Sequence, residues 1–289
     1  MTFRLILLAA GLALSANVTM AEQAPAPLAV QTAPVDQTIT TLARTMLMPE
    51  IIGVMREEGL KYGQTLEDDM FLGRGKDRWA AIVSVIYDQT RMEDGFVTAL
   101  AGEFAEDSGM IPQISAFFGS AQGQQALTLE IEARRALLDP DVEEAAKVAW
   151  DEMVAAAEPR VALLKRFAEA NDLIESNVMG ALNANLAFYQ GLAEAGALPE
   201  DMTESQMLSD VWGQEPQVRA ETEDWLFPFL ALAYRPMPDA DLEAYIAFSE
   251  TPAGQKINAA LFVAFDQVFT RISHDLGNAV ARQMQGEDI

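Results

Sequence analysis

The layout of Ser108 to Leu138 returns once along this chain, in Asp239 to Phe269, at one offset of 131, the difference between Gly123 and Gly254. A repeat of this kind governs the reading of everything else, because overlooking it misassigns the whole fold. The offset pairs Ala116 with Ala247, Phe117 with Phe248, and Gln124 with Gln255. It continues through Ala133 with Ala264, Leu137 with Val268 and Leu138 with Phe269. Ser108 pairs with Asp239, each an N-cap residue type ahead of an apolar-periodic run, so each is expected to open a helix.

In each copy a short helix, over 110–118 and 242–249, leads into a turn of small residues and then into a longer helix. The turns are Gly119 to Gly123 and Thr251 to Gly254, with Thr251 expected as a cap and Pro252 and Ala253 in the first turn of the helix it opens. The turn glycines read as packing residues, the one in the first turn letting two helices approach closely. A phosphate-binding role would need a glycine-rich loop and a Lys-Ser/Thr pair, and neither accompanies them.

An aliphatic-aromatic helix, Phe248, the run Ser249-Glu250-Thr251-Pro252-Ala253-Gly254-Gln255-Lys256 and an apolar-periodic helix together resemble the bacterial family catalogued as domain of unknown function 2059. The Ile114 to Gln125 stretch resembles a second, degenerate instance, with Ala121 in place of the proline. The resemblance implies a helical, exported protein and brings no activity with it. Phe117, Gly123, Gln124, Phe248, Pro252, Gly254 and Gln255 are its motif positions, read as structural.

At the start of the chain Phe3-Arg4 precedes the apolar run Leu5 to Leu14, and Thr19-Met20-Ala21 places small residues where a signal peptidase reads them. Residues 1–21 are therefore expected to be a signal peptide cleaved after Ala21, which sends the protein to the periplasm. The run is too short for a membrane anchor, no later stretch is apolar enough to span a bilayer, and without cysteine there is no lipid-attachment site. The lack of cysteine also excludes disulfides and thiolate chemistry, so stability must come from the core. Ala24-Pro25-Ala26-Pro27 and Ala33-Pro34 mark residues 22–35 as a flexible tether.

The formal charge of −25 falls by one more when Arg4 leaves with the signal. Such a surface repels phosphodiester backbones and anionic lipid, so nucleic acid is excluded as a partner class. The densest basic stretch, Gly73-Arg74-Gly75-Lys76-Asp77-Arg78, is short and mixed in sign and reads as a solvated turn.

Copy 1, over 36–158, opens with Ile39, Leu42, Ala43 and Met46 on one helical face, which Pro49 is expected to end or kink. Ile51, Ile52, Met55 and Gly59 follow, with Arg56, Glu57 and Glu58 as the polar face. Trp79, Ile82, Val83 and Ile86, then Phe96, Leu100 and Phe104, are aromatic and aliphatic residues at core spacing rather than a cofactor box. Asp139-Pro140-Asp141 caps the next helix, and its acids lack the glycine and oxygen spacing of a calcium loop. Copy 2, over 159–289, carries Leu173, Val178, Leu182, Leu186 and Tyr189, then Trp212, Trp225, Leu226 and Phe229. Its last helix has the clearest stripe, Ile257, Leu261, Phe265, Val268, Ile272 and Leu276.

His274, the only histidine, points away from that stripe and reads as a surface imidazole without a catalytic partner. Glu130 and Arg134 are the sharper candidates, because a helical wheel puts both inside the apolar arc of their helix. The offset of 131 places them at Leu261 and Phe265, two members of the core stripe. Their i, i+4 order, acid first, predicts a mutual, partly buried ion pair that fixes register between the copies. The functional alternative is a polar ligand site in an apolar groove. On the first reading, exchanging both for Leu and Phe should cost less stability than Arg134→Ala alone.

The sequence thus predicts an all-α protein of two tandem, related multi-helix units packed together. It implies no cofactor and no metal site. The function it favours is a non-catalytic periplasmic interaction or scaffold protein with an unidentified protein partner. The alternative is a binder of an apolar or amphiphilic small molecule, or of an unfolded chain, in a groove between the copies. A carboxylate enzyme working through Glu130 ranks third.

Overall fold

Prolines and short polar side chains punctuate the chain into helices that the apolar periodicity then packs. A computed structural model describes residues 37–71, 76–106, 108–199 and 202–286. The segments expected to be a signal peptide and a tether, and the Gly73 to Gly75 part of the basic turn, lie outside the described residues. All regular structure among the described residues is helical, which makes this an all-α, multi-helix protein. The first half holds α1 (Gln37–Thr45), α2 (Met48–Phe71), α3 (Lys76–Ile86), α4 (Gln89–Glu103), α5 (Ile111–Phe118), α6 (Ala121–Ala136) and α7 (Pro140–Ala155). The second holds α8 (Pro159–Ala170), α9 (Leu173–Glu194), α10 (Glu204–Trp212), α11 (Glu215–Tyr234), α12 (Asp239–Ser249) and α13 (Pro252–Gln285).

The elements α1 to α6 and α8 to α13 follow one another in matching order. α4 and α11 begin 126 positions apart, at Gln89 and Glu215. α11 has 20 residues against 15 in α4, and those five extra residues bring the offset to 131 at the helix ends Glu103 and Tyr234. α7 has no counterpart, and α13 with 34 residues runs far past the 16 of α6.

Local chemistry repeats along with the order. The hydroxyls of Ser120 and Thr251 each accept the N–H of the third residue on, Gly123 and Gly254, at 3.0 Å, and each donates to a carbonyl, Phe117 at 2.6 Å and Phe248 at 2.7 Å. Thr251 caps as its sequence predicts. Ser108 and Asp239 do not: α5 begins after Met110, and Asp239 is already the first residue of α12, behind Pro238. A proline in the first turn, Pro112 in α5, fixes φ without needing a hydroxyl cap. Pro49 likewise lies in the first turn of α2 instead of ending α1, and the break falls at Leu47, held at φ 55°. Its counterpart 125 positions on, Asp172, sits at φ 47° between α8 and α9.

One apolar core runs through both halves. α13 packs on α9 of its own half and on α4 of the other, and α11 packs in the corresponding way on α6 as well as on α7. Phe96 meets Phe265 at 4.6 Å between ring centroids, and Trp150 stacks on Phe227 at 5.1 Å. At the centre Phe117 stacks face to face on Phe248, 3.9 Å apart with planes 1° from parallel. These two rings lie 131 positions apart, the offset read from the sequence. No described helix is long and apolar enough to cross a membrane.

Candidate functional site

Among the described residues, the charged side chains that lie deep in this central junction belong to α6. Glu130 is 8% and Arg134 7% exposed, among the buried Ala126, Leu127, Ile131 and Ala133 of the same helix. Burial agrees with the wheel and with the offset; the partners do not. The Arg134 guanidinium forks onto Glu58 of α2, Nε to Oε1 at 2.6 Å and a terminal nitrogen to Oε2 at 2.7 Å. Glu130 instead accepts a hydrogen bond from the Tyr234 hydroxyl at 2.6 Å and another from Tyr245. The i, i+4 order therefore does not decide the pairing. Both side chains are long enough to cross to facing helices, where the planar fork meets a carboxylate in bidentate geometry.

Burial pushes the Glu130 carboxyl up to about 7, and the two tyrosine hydrogen bonds pull against that shift. Both tyrosine hydroxyls are in turn held well above their usual range, by burial first and then by the Glu130 charge. A buried carboxyl that titrates near neutrality can act as a general acid or base where a reactant can reach it. The space beside Glu130 and Arg134 is a cavity of about 50 Å³, enough for a few water molecules and far below the several hundred Å³ of ordinary ligand pockets.

The cavity straddles the junction, since equivalent positions of the two halves line it in pairs. Met46 faces it with Asn171, Leu127 with Asn258, Glu130 with Leu261 and Arg134 with Phe265. In each of these four pairs one residue is polar and the other apolar, while Met48 and Leu173, 125 positions apart like the first pair, are both apolar, so the cavity holds a single set of polar groups instead of two. Asn258 donates its amide to the Asn171 carbonyl oxygen, and Asn171 donates to the Phe167 backbone at 2.9 Å, which ties α13 to the end of α8.

The motif positions surround this centre as joints. The Gln124 amide donates to the Phe118 and Thr45 carbonyls, both at 2.7 Å; the Gln255 amide donates to Ser249 at 2.8 Å and Ala170 at 2.9 Å. Each glutamine thus pins a helix corner to the end of the first helix of its own half. A Cβ on Gly123 would lie 2.3 Å from the Phe117 carbonyl oxygen, and one on Gly254 2.1 Å from that of Phe248, so both glycines permit a close crossing. Pro252 opens α13 one residue after its cap. His274 is one-third exposed and bonds Glu194 at 3.0 Å.

Sequence reasoning missed Glu58, Tyr234, Tyr245, Asn171 and Asn258. Glu58 belonged to a polar face assigned to solvent, although α6 reaches that face with Arg134. Tyr245 carried a usable signal, because it lies 131 positions beyond the aliphatic Ile114 and so brings a hydroxyl to a core position.

Two outer grooves of about 490 Å³ are large enough for a small molecule. One lies where α4 of the first half meets α13 of the second, with Arg91, Asp94, Arg271 and Asp275 around a floor of Met92, Val268 and Ile272. The other lies among α1, α2 and α4. Among the described residues, no group of three or more metal-ligating side chains converges. Compared with protein-family models, curated proteins and solved structures, the chain matches none.

The position of Glu130 makes stability depend on pH in a definite direction. Between the ordinary glutamate value of 4.5 and about 7 the folded chain keeps a proton that the unfolded chain releases. Stability is therefore fullest below that window and falls as pH rises through it, by roughly 3 kcal/mol at about 1.4 kcal/mol per unit. Glu130→Gln should remove this share of the slope, so its advantage over the parent grows from pH 5 to pH 8. Urea titrations of both chains at the two pH values measure it; an unchanged difference would show that Glu130 titrates normally.

Proposed function

We propose that this chain is an exported, non-catalytic interaction or scaffold protein, built from two copies of one helical unit and acting in the periplasm. The observation that supports it best is how small the space is, about 50 Å³, beside the buried Glu130 and Arg134. Glu130, Arg134 and their partners tie four helices together, α2, α6, α11 and α12, around a volume that admits water only. Groups held this way specify how the halves fit, and they leave the outer helical faces for a partner. The strongly negative surface keeps such a protein soluble and favours a partner carrying basic residues. Membership of the family that Ser249 to Lys256 resembles is part of the same proposal, as are the cleavage after Ala21 and the tether that follows.

One observation favours a second reading, a binder of an amphiphilic small molecule. The groove between α4 and α13 lies at the junction of the halves and combines an apolar floor with charges of both signs. Native mass spectrometry of the mature chain, purified gently from its own host's periplasm, separates the two readings. The scaffold reading expects a reproducible complex with another protein. A chain carrying only a small added mass, displaced from the groove by Met92→Trp, would replace it with the second reading.

A further inference from the structure

Helices α4 and α13 run antiparallel across the junction of the halves. As α4 advances through Arg91, Gly95 and Phe96, the residues it meets on α13 step back through Asp275, Val268 and Phe265. This order sets the charged side chains of the groove between them in two rungs. In the first, Arg91 of α4 pairs with Asp275 of α13 at 3.4 Å. One turn further on, the same faces present Asp94 of α4 and Arg271 of α13, with the signs exchanged. This second rung is open. Both side chains line the groove and are exposed, and neither makes an ion pair or a side-chain hydrogen bond among the described residues. In a chain of 44 acidic and 19 basic residues, an unpaired arginine is not explained by a shortage of partners.

Beneath the rungs the floor is apolar, with Ile86, Met92, Val268 and Ile272 drawn from α3, α4 and α13. Gly95 lines the groove from inside α4. A Cβ there would reach Val268 at 3.5 Å, an ordinary contact, so no close backbone approach demands glycine. Glycine in place of alanine costs a helix interior about 1 kcal/mol, and what it leaves at this position is room in the groove.

A groove of about 490 Å³ with an apolar floor and one open pair of opposite charges selects its occupant by complementarity. The head must carry a cationic group for Asp94 and an anionic one for Arg271, whose planar fork fits phosphate oxygens. The formal charge of −25 argues for the same composition. It repels a purely anionic amphiphile, and Arg91 and Arg271 repel a purely cationic one inside the groove; a zwitterion meets neither penalty.

We propose that the α4–α13 groove binds a single-chain amphiphile with an ammonium-phosphate head, its ammonium on Asp94, its phosphate on Arg271 and its alkyl chain along Met92, Val268 and Ile272. The proposal rests on the amphiphile reading above and names the head group that reading leaves open.

The test uses the mature chain and three amphiphiles of one alkyl chain length, with phosphoethanolamine, phosphoglycerol and maltoside heads. Each is titrated by calorimetry below the concentration at which it forms micelles. The phosphoethanolamine amphiphile is expected to bind at least tenfold tighter than the other two. Asp94→Asn should abolish its advantage over phosphoglycerol. Arg271→Gln should weaken it at least tenfold while changing maltoside binding less than twofold. Both side chains are exposed, so unfolding curves of the variants should superpose on the parent. A head preference that survives in both variants would place the ligand elsewhere and overturn the site. Equal affinity for the three heads would overturn the zwitterion and leave the amphiphile reading standing. Failure of all three to bind would overturn both and leave only the interaction with a protein partner.

Discussion

Gly254→Ala is expected to destabilise the chain by about 2–4 kcal/mol, and Gly123→Ala by nearly as much. Alanine ordinarily favours a helix interior over glycine by about 1 kcal/mol, so the sign of the effect must come from packing. A Cβ at 254 would lie 2.1 Å from the Phe248 carbonyl oxygen and 2.7 Å from the Ser249 Cα; at 123 the distances are 2.3 Å to Phe117 O and 2.7 Å to Phe118 Cα. These obstacles are backbone atoms and cannot swing aside as the end of a flexible side chain can. Either the α5–α6 and α12–α13 corners open, breaking the Ser120 and Thr251 caps and the Gln124 and Gln255 bonds, or the clash persists. Gly102 is the contrast, because a Cβ there would meet nothing within 4 Å. Gly102→Ala should therefore stabilise by up to about 1 kcal/mol. Urea unfolding of the three variants gives the comparison, and a neutral Gly254→Ala would show that the corner has slack.

The helices were legible in the sequence because their signals are local. Apolar spacing placed Ile39, Leu42, Ala43 and Met46, and the stripe from Ile257 to Leu276, in the core where the structure has them. Thr251 and Asp139 announced their caps by residue type and position. Ser108 and Asp239 misled for the same reason, since residue type alone cannot show that a proline nearby already starts the helix. Trp212, grouped with core aromatics by type, is 48% exposed, because α10 buries only the line of Met207 and Val211. The burial of Glu130 and Arg134 was legible, since the repeat placed them opposite Leu261 and Phe265. Their partners were not: Glu58, Tyr234 and Tyr245 come from three other helices, and only the packing of those helices brings them within reach.

Replacing Glu130 and Arg134 together by Leu and Phe, the residues at positions 261 and 265, should now cost more than Arg134→Ala alone, the reverse of what a mutual ion pair predicts. Arg134→Ala strands Glu58 and leaves a void. Glu58 is 28% exposed, so water relieves part of the loss, and about 3 kcal/mol is expected rather than the upper end for a fully buried pair. The double replacement strands Glu58 equally and also takes the acceptor from two buried tyrosine hydroxyls, each costing about 1–3 kcal/mol when unpaired. The added apolar side chains return about 1–2 kcal/mol through burial. The sum favours the single variant, with the double about 1–3 kcal/mol worse. At pH 5.5 the comparison is cleanest, because Glu130 is mostly protonated there and its removal relieves no buried charge. Adding Tyr234→Phe and Tyr245→Phe to the double variant should recover much of the difference, since the stranded hydroxyls leave with their acceptor. A double variant as stable as Arg134→Ala would mean that the tyrosines find water in the cavity of about 50 Å³, and that the polar centre of the junction can be exchanged for the apolar pattern of the second half.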